Sequence, residues 1–158
     1  MTEKRHLLFA ALKRLGAFRR MHQSHIGKTL GEHLINTYDD LKRMGADEDV
    51  AVAGGLHSIY GTNAFKHATV LPSQRGIIRG LFGERAERLA WLFSNANRPV
   101  GLETGKLVYY KTNEPMEVSD EDLEALKIIE IANLIDNGVK LDKYPNLSRR
   151  HEELKALI

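Results

Sequence analysis

Two histidines in the sequence lie where the helical pattern places apolar side chains, and imidazole is the most common neutral metal ligand in proteins. His33 belongs to a stripe that also contains Leu30 and Leu34, and His57 follows Gly54 by three residues on the next predicted helix. A histidine in such a stripe is most often a core residue with a satisfied hydrogen bond. Two of them on consecutive helices, each near a gap in the packing, favour a shared site.

The segment from His25 to Thr62 resembles the first half of an HD domain, a helical fold of metal-dependent phosphohydrolases. HD domains place one His on a helix, a His-Asp pair at the end of the next helix, and a final Asp on a later helix. The hydrolase domain of stringent-response enzymes, which acts on guanosine tetraphosphate, has a similar pattern. The resemblance implies that His33 is the first ligand and His57 the second, and that EIANLIDN at residues 130–137 carries the last one.

A second resemblance reaches further along the chain. The motifs H-x-G-x-T-L-x-x-H-L, A-G-L-x-H-S-x-Y-G-T and G-x-x-A-E-R-L of an HD-like family without an established activity match His25–Leu34, Ala53–Thr62 and Gly83–Leu89. This resemblance accounts for a serine after His57, but it implies no reaction.

The acidic residues of the HD pattern are replaced in this sequence. Ser58 stands where the Asp of the His-Asp pair is expected, Asn133 stands at the later Asp, and Tyr60-Gly61 replaces the acidic pair used in pyrophosphate hydrolysis. Serine and asparagine are poor zinc ligands in protein sites. The replacements therefore disfavour an ordinary HD phosphohydrolase, and a di-iron oxygenase even more.

Three residues are candidates to complete such a site. His25 would join His33 and His57 in a three-histidine site for a divalent cation such as Zn, Mn or Fe, and three histidines with an open position form a known catalytic zinc arrangement. Asp136 lies one turn after Asn133 and would replace the lost Asp. The alternative interpretation is that Asp136 is an ordinary charged residue at the end of a helix. His67 would close over the site, or be an exposed loop histidine.

Other side chains near the motifs are candidates for contact with substrate. Ser58 and Tyr60 are the candidate catalytic residues, since their hydroxyls would orient an attacking water molecule. Thr62 would bind a ligand or cap the helix. Arg75, with Arg79 one turn later, would bind a phosphate or carboxylate group, or form a solvated face.

Helical periodicity and capping signals predict an all-α, HD-domain-like helical bundle formed as a single domain over residues 1–158. The predicted helices cover about 3–21, 29–45, 47–61, 73–83, 84–95 and 119–137, with a short one after Ser148. The stretch 106–118 is less helical and allows a small β-hairpin.

Composition excludes several other classes of function. The sequence has no cysteine, so disulfides, thiolate metal sites and a cysteine nucleophile are excluded, and a reducing compartment is favoured. The net charge of +2 gives no electrostatic reason to expect nucleic acid. No signal peptide or membrane span is recognised, so we expect a cytoplasmic protein whose partner is a small molecule.

These observations favour a divergent, metal-dependent HD-like enzyme that acts on a small anionic metabolite or nucleotide by hydrolytic or lyase chemistry. The alternative is a metal-free HD-like binding or regulatory protein that retains the pocket without catalysis. A third interpretation is a scaffold whose histidines are only core residues.

Overall fold

The computed structural model describes residues 2–21, 27–62 and 69–158. Within these ranges the chain forms eight α-helices and three short 3-10 helices, so the predicted all-α fold is confirmed. The α-helices are α1 (Glu3–Arg14), α2 (Leu30–Arg43), α3 (Glu48–Gly55), α4 (Arg75–Phe82), α5 (Glu84–Asn95), α6 (Val100–Thr104), α7 (Asp120–Asp136) and α8 (Pro145–Ala156). None of the helices in these ranges has the length and apolar character needed to cross a membrane.

Local capping signals fix the starts of the three helices that matter most for the site. Thr29 Oγ1 accepts a hydrogen bond from the Glu32 backbone nitrogen at 3.1 Å, and Glu32 Oε1 accepts one from the Thr29 nitrogen, so the predicted capping box begins α2. Asp47 caps α3 and Ser119 caps α7 through similar side-chain bonds of 3.0 Å. Each cap satisfies a backbone N–H that would otherwise lack a partner at the helix start.

Several predicted helix boundaries are wrong, each for a local reason. The first helix ends at Arg14 rather than near residue 21, because Gly16 takes a positive φ of 80° and a 3-10 turn follows. Ser73 does not cap α4; it lies inside the 3-10 helix Pro72–Gln74, which continues directly into α4. The last helix begins at Pro145, three residues before Ser148, since proline suits the first helical position.

The stretch 106–118 contains a chain reversal without regular strands. Val108 and Pro115 form an isolated antiparallel bridge, and the Tyr109 nitrogen donates to the Glu114 carbonyl at 2.8 Å. Asn113 sits at the turn with a φ of 62°. On the other side of the bridge, the Met116 nitrogen donates to the Leu107 carbonyl at 3.0 Å.

Two adjacent glycines allow α3 to approach its neighbours closely. A Cβ on Gly54 would lie 2.1 Å from Leu41 Cδ1 on α2, and a Cβ on Gly55 would lie 2.3 Å from Leu8 Cδ2 on α1. The α2 helix packs against both α3 and α7, and α3 also packs against α5. Gly54 therefore allows the close α2–α3 spacing across which the two candidate histidines must meet, and Gly55 allows the close approach of α1.

Candidate functional site

His33 is fixed on α2 by the helix start and by the packing around it. The capping box places it one turn after Thr29, whose carbonyl accepts from the His33 nitrogen at 3.1 Å. Thr37 Oγ1 donates to the His33 carbonyl at 2.8 Å, so the hydroxyl of Thr37 is bonded to the helix backbone. The side chain of His33 is fully buried.

His57 lies in the turn that follows α3. Its Nδ1 atom is 2.6 Å from the carbonyl oxygen of Gly54, and its ring meets the edge of Phe93 with 5.2 Å between ring centres. Only 3% of His57 is exposed. The turn and the aromatic contact together hold the imidazole in one orientation, with Nε2 directed to α2.

The α7 helix contributes two side chains one turn apart. Asn133 Oδ1 lies 2.9 Å from His33 Nε2, and Asp136 Oδ2 lies 2.6 Å from His33 Nδ1. Lys28 Nζ donates to the other oxygen of Asp136 at 3.1 Å. We call His33, His57, Asn133 and Asp136 the histidine cluster, because the structure brings these four predicted residues together from α2, α7 and the turn after α3.

The tautomers of both imidazoles follow from their partners. A backbone carbonyl can only accept, so His57 Nδ1 must carry the proton that it shares with Gly54. Burial raises the pKa of Asp136, but the hydrogen bonds from His33 and Lys28 outweigh that effect and lower the pKa to about 2. Asp136 is therefore ionised, and His33 Nδ1 donates to it. When either ring is neutral, its Nε2 atom therefore carries a lone pair.

These two Nε2 atoms face each other at 3.3 Å, with the rings perpendicular at 89°. Asn133 Oδ1, a third acceptor, lies beside His33 Nε2. Acceptors at such distances repel unless a proton or a cation lies between them. Two imidazole nitrogens on one tetrahedral zinc ion, at bond lengths of about 2.0–2.1 Å, are themselves about 3.3 Å apart.

The outer partners of both imidazoles also match those of metal ligands. A histidine that binds a metal usually donates its second ring N–H to a carboxylate or a backbone carbonyl. His33 donates to Asp136 and His57 donates to Gly54 in this way. The two imidazoles thus fit a cation such as zinc or iron, and the Asn133 amide oxygen is the weakest of the three donors to it.

Within the described ranges, no acidic side chain replaces the acids of the HD pattern on the side of the imidazoles that would face a cation. Among the residues that the structure describes, no group of three or more His, Cys, Asp or Glu side chains is arranged to hold a metal. Ser58 is 2% exposed, and its Oγ atom has no hydrogen-bond partner within the described ranges. Among the described residues, the inner donors are therefore two imidazoles and one amide, none of which brings a negative charge.

A second polar cluster forms where α4 meets α5. The buried carboxylate of Glu87 accepts from Tyr60 Oη at 2.9 Å, from Arg75 Nε and Nη2 at 2.8 and 3.0 Å, and from Arg79 Nη2 at 3.4 Å. The Arg75 guanidinium also stacks 4.1 Å from the centre of the Trp91 ring. We call Tyr60, Arg75, Arg79 and Glu87 the glutamate cluster.

Ionisation in the glutamate cluster is fixed by these contacts. Burial raises the pKa of Glu87, but the hydrogen bonds from Arg75 and Tyr60 lower it overall. Burial and the bond to Glu87 raise the pKa of Tyr60 well above its usual value. Tyr60 therefore stays protonated and directs its hydroxyl to Glu87, and Arg75 directs two of its nitrogens there.

The remaining predicted residues have separate positions. Thr62 is buried at the end of the described segment that carries His57, directly after Gly61 with its φ of 81°. His25 and His67 lie outside the described residues. Their predicted roles, like those of Ser58, Tyr60 and Arg75, stay predictions.

Sequence reasoning missed two charged residues behind Asn133. Glu130 Oε1 accepts from Asn133 Nδ2 at 2.9 Å, and Glu130 Oε2 lies 3.0 Å from Arg98 Nε. Glu130 precedes Asn133 by three residues on a predicted helix, and that spacing was a usable signal of contact. The partnership with Arg98 joins distant parts of the chain and leaves no such pattern.

One comparison with known proteins gives a match. A family described as Domain of unknown function (DUF6817) matches residues 11–98, which is more than half of the 158-residue chain. The matched range includes His33, His57 and Glu87, and it ends before α7. No curated protein and no solved structure matches the chain.

Proposed function

The chain belongs to the family described as Domain of unknown function (DUF6817), a description that states no activity, and we propose that it is a metal-dependent enzyme of hydrolytic or lyase type. Its substrate is a small anionic metabolite or nucleotide, and its metal site is formed by His33, His57 and the Asn133 side-chain oxygen. The observation that carries this proposal is the pair of Nε2 atoms 3.3 Å apart, each in a ring whose other nitrogen is already donating.

The surrounding residues would keep both imidazoles ready for a cation. Asp136 accepts from His33 and so holds the ring in the tautomer with a lone pair on Nε2. The Gly54 carbonyl does the same for His57. A bound divalent cation would supply Lewis-acid chemistry at this point, in the manner of metal-dependent hydrolases.

The neutrality of the inner donors supports an anionic substrate. A divalent cation held by two imidazoles and an amide keeps its full charge, since no carboxylate neutralises it. An anionic group on the substrate would balance that charge. Hydrolysis of guanosine tetraphosphate should nevertheless be weak or absent, because Ser58 and Tyr60-Gly61 replace the acids that the similar stringent-response hydrolases use.

The resemblance to HD domains is consistent with this proposal and remains part of it. An all-α fold, with His33 on one helix, His57 at the end of the next and Asn133 on a later helix, is what the resemblance implies. A cytoplasmic location also belongs to the proposal, supported by a sequence without cysteine.

A second function is favoured by a specific observation. The described residues contain no cluster of three or more acidic, histidine or cysteine metal ligands, and His33 and His57 are almost fully buried. In a metal-free binding or regulatory protein, a proton between the two Nε2 atoms would take the place of the cation.

Metal content distinguishes the two functions. Protein purified without a histidine tag should contain one metal ion per chain, or bind one Zn²⁺ after chelation and dialysis, as measured by mass spectrometry and isothermal titration. We expect His57→Ala to weaken zinc binding by at least about 100-fold, because loss of even an outer-shell partner costs 10–100-fold.

The matched control is His151→Ala, which removes a partly buried histidine of α8. It should bind zinc as the unmutated protein does. Absence of zinc binding by the unmutated protein, or unchanged affinity in His57→Ala, would reject the metal site. The variant His25→Ala tests separately whether a third histidine contributes.

A further inference from the structure

Glu130 is a fully buried acidic residue directly behind the histidine cluster. Its side chain is 0% exposed, and that of its ion-pair partner Arg98 is 7% exposed. Glu130 Oε2 and Arg98 Nε are 3.0 Å apart, close enough for an ion pair but not aligned as a hydrogen bond. The Arg98 guanidinium also lies 4.8 Å from the ring centre of Phe93, the same ring that meets His57.

Stability alone does not explain a charged pair at this depth. Acidic and basic residues are almost never fully buried unless they are paired. Replacement of a buried ion pair by well-packed apolar residues is often neutral or stabilising, because desolvation offsets the attraction between the charges. The pair Glu130–Arg98 therefore calls for a role beyond holding the fold together.

The contact between Glu130 and Asn133 supplies that role. An asparagine amide has an accepting oxygen and a donating nitrogen of nearly equal shape, so its neighbours decide which of them faces the site. One Glu130 oxygen lies 3.0 Å from Arg98 Nε, and the other accepts from Asn133 Nδ2 at 2.9 Å. On the other side, Asn137 Nδ2 donates to Asn133 Oδ1 at 3.3 Å, which favours the same orientation.

We propose that Glu130, held by Arg98, is a positioning residue that fixes the Asn133 amide with its oxygen toward His33 and His57. In this orientation the Asn133 side-chain oxygen can bind a cation. The opposite orientation would direct the N–H groups of the amide toward His33 instead. Glu130 thereby keeps, one helical turn away, the negative charge that the HD pattern places at position 133. Its effect on metal affinity rests on the proposed function, whereas the orientation of the amide does not.

A charge-exchange series tests the proposal through zinc affinity. Glu130→Gln removes the acceptor-only group and should weaken zinc binding by about 10–100-fold, the usual effect of an outer-shell partner. Asn133→Asp alone should also bind poorly or unfold, because it sets a second carboxylate about 3 Å from Glu130. The double variant Glu130→Gln with Asn133→Asp should restore binding, since the amide introduced at position 130 can donate to the carboxylate introduced at position 133, whose oxygens both accept.

The matched control is Glu87→Gln, which neutralises another buried, arginine-paired glutamate outside the histidine cluster. It should leave zinc affinity unchanged. Unchanged affinity in Glu130→Gln, or a double variant that binds no better than Glu130→Gln, would overturn the proposal. If the unmutated protein binds no zinc, the proposed metal-dependent function fails, and the amide orientation is then decided by NMR on that protein.

For the NMR measurement, the side-chain amide protons of Asn133 are followed in the metal-free, unmutated protein. A nitrogen that donates to a buried carboxylate should give one downfield proton that exchanges slowly with water. The same signal should move upfield in Glu130→Gln, if that variant folds. Rapid exchange of both protons in the unmutated protein would show that Glu130 does not hold the amide.

Discussion

The histidine cluster and the glutamate cluster each bring together polar residues that are separated along the chain, but their donors and acceptors are balanced differently. In the glutamate cluster, the N–H and O–H groups of Tyr60, Arg75 and Arg79 all point to one carboxylate. In the histidine cluster, three atoms with lone pairs lie together, and His33 Nε2 is within 3.3 Å of both others.

This difference shows how one polar cluster can complete the fold while another is suited to a ligand. The carboxylate of Glu87 meets its donors within the protein, so the cluster needs nothing from outside. Facing acceptors in the histidine cluster are favourable only with a proton or a cation between them. The balance of donors and acceptors, more than the residue types, thus separates the two clusters.

The largest expected effect is on the free energy of unfolding, when each of the two buried glutamates is replaced by alanine. Glu130→Ala should lower the free energy of unfolding by about 3–5 kcal/mol, because Arg98 would remain buried without its carboxylate partner. Glu87→Ala should cost about 1–3 kcal/mol, since Arg75 and Arg79 are 27% and 47% exposed and can be hydrated.

Urea unfolding followed by circular dichroism measures both losses. Zinc affinity should fall in Glu130→Ala, if that variant folds, and stay unchanged in Glu87→Ala. A greater loss of stability in Glu87→Ala than in Glu130→Ala would remove the contrast between the two clusters.

The next effect concerns Asp136, which links the histidine cluster to pH. Its folded pKa of about 2 lies below the ordinary value of 3.8, so the carboxylate stabilises the folded state above pH 4. A difference of that size corresponds to about 2 kcal/mol, which is lost as the pH falls from about 4 to about 2.

Asp136→Asn should remove this contribution at neutral pH and flatten the stability profile between pH 4 and 2. It should also weaken zinc binding by about 10–100-fold, because His33 loses its charged partner. The control is Asp142→Asn, an exchange in the same part of the chain on a residue outside the cluster. Equal acid sensitivity in Asp136→Asn and the unmutated protein would contradict the role assigned to the His33–Asp136 bond.

The parts of this arrangement that sequence could predict are the local ones. Thr29, Asp47 and Ser119 cap their helices within three residues, so their signals can be read without the fold. His33 and His57 were found through their positions in apolar stripes. Their meeting with Asn133 followed only from the resemblance to HD domains, because contact across about one hundred residues leaves no periodic pattern.

The parts that sequence missed depend on tertiary contacts. Glu130 reads as an ordinary helix residue until Arg98 is placed beside it. Tyr60 and Arg75 have the chemistry of a binding site, yet Glu87 engages both. The start of α4 also depends on context, since Pro72 begins a 3-10 turn that leaves Ser73 inside it instead of at a cap.

A smaller effect on stability is expected when either glycine of α3 is replaced by alanine. These substitutions test whether the spacing of the helices controls zinc binding by the histidine cluster. Gly54→Ala would place a Cβ 2.1 Å from Leu41 Cδ1 and force α2 away from α3. Overpacking of this kind typically costs about 1–3 kcal/mol. Because His33 lies on α2 and His57 follows α3, zinc affinity should fall as well.

Gly55→Ala is the matched control, because its Cβ would meet Leu8 Cδ2 on α1 at 2.3 Å. It should lose a similar amount of stability in thermal unfolding while keeping its zinc affinity. Equal losses of affinity in both variants would show that general destabilisation, and not the α2–α3 spacing, weakens the site.

The smallest effect is expected at Ser58, which lies next to His57 but has a buried hydroxyl without a hydrogen-bond partner in the described part of the chain. A buried polar group without a partner costs free energy, so its removal should not destabilise the protein. Ser58→Ala should therefore leave the free energy of unfolding of the metal-free protein unchanged, or raise it by up to about 1 kcal/mol. Chemical unfolding in the presence of a chelator measures this difference. Destabilisation by more than about 1 kcal/mol would show that the hydroxyl has a hydrogen-bond partner in the folded protein. Ser58 would then resemble the residues of the glutamate cluster, whose polar groups are hydrogen-bonded within the protein.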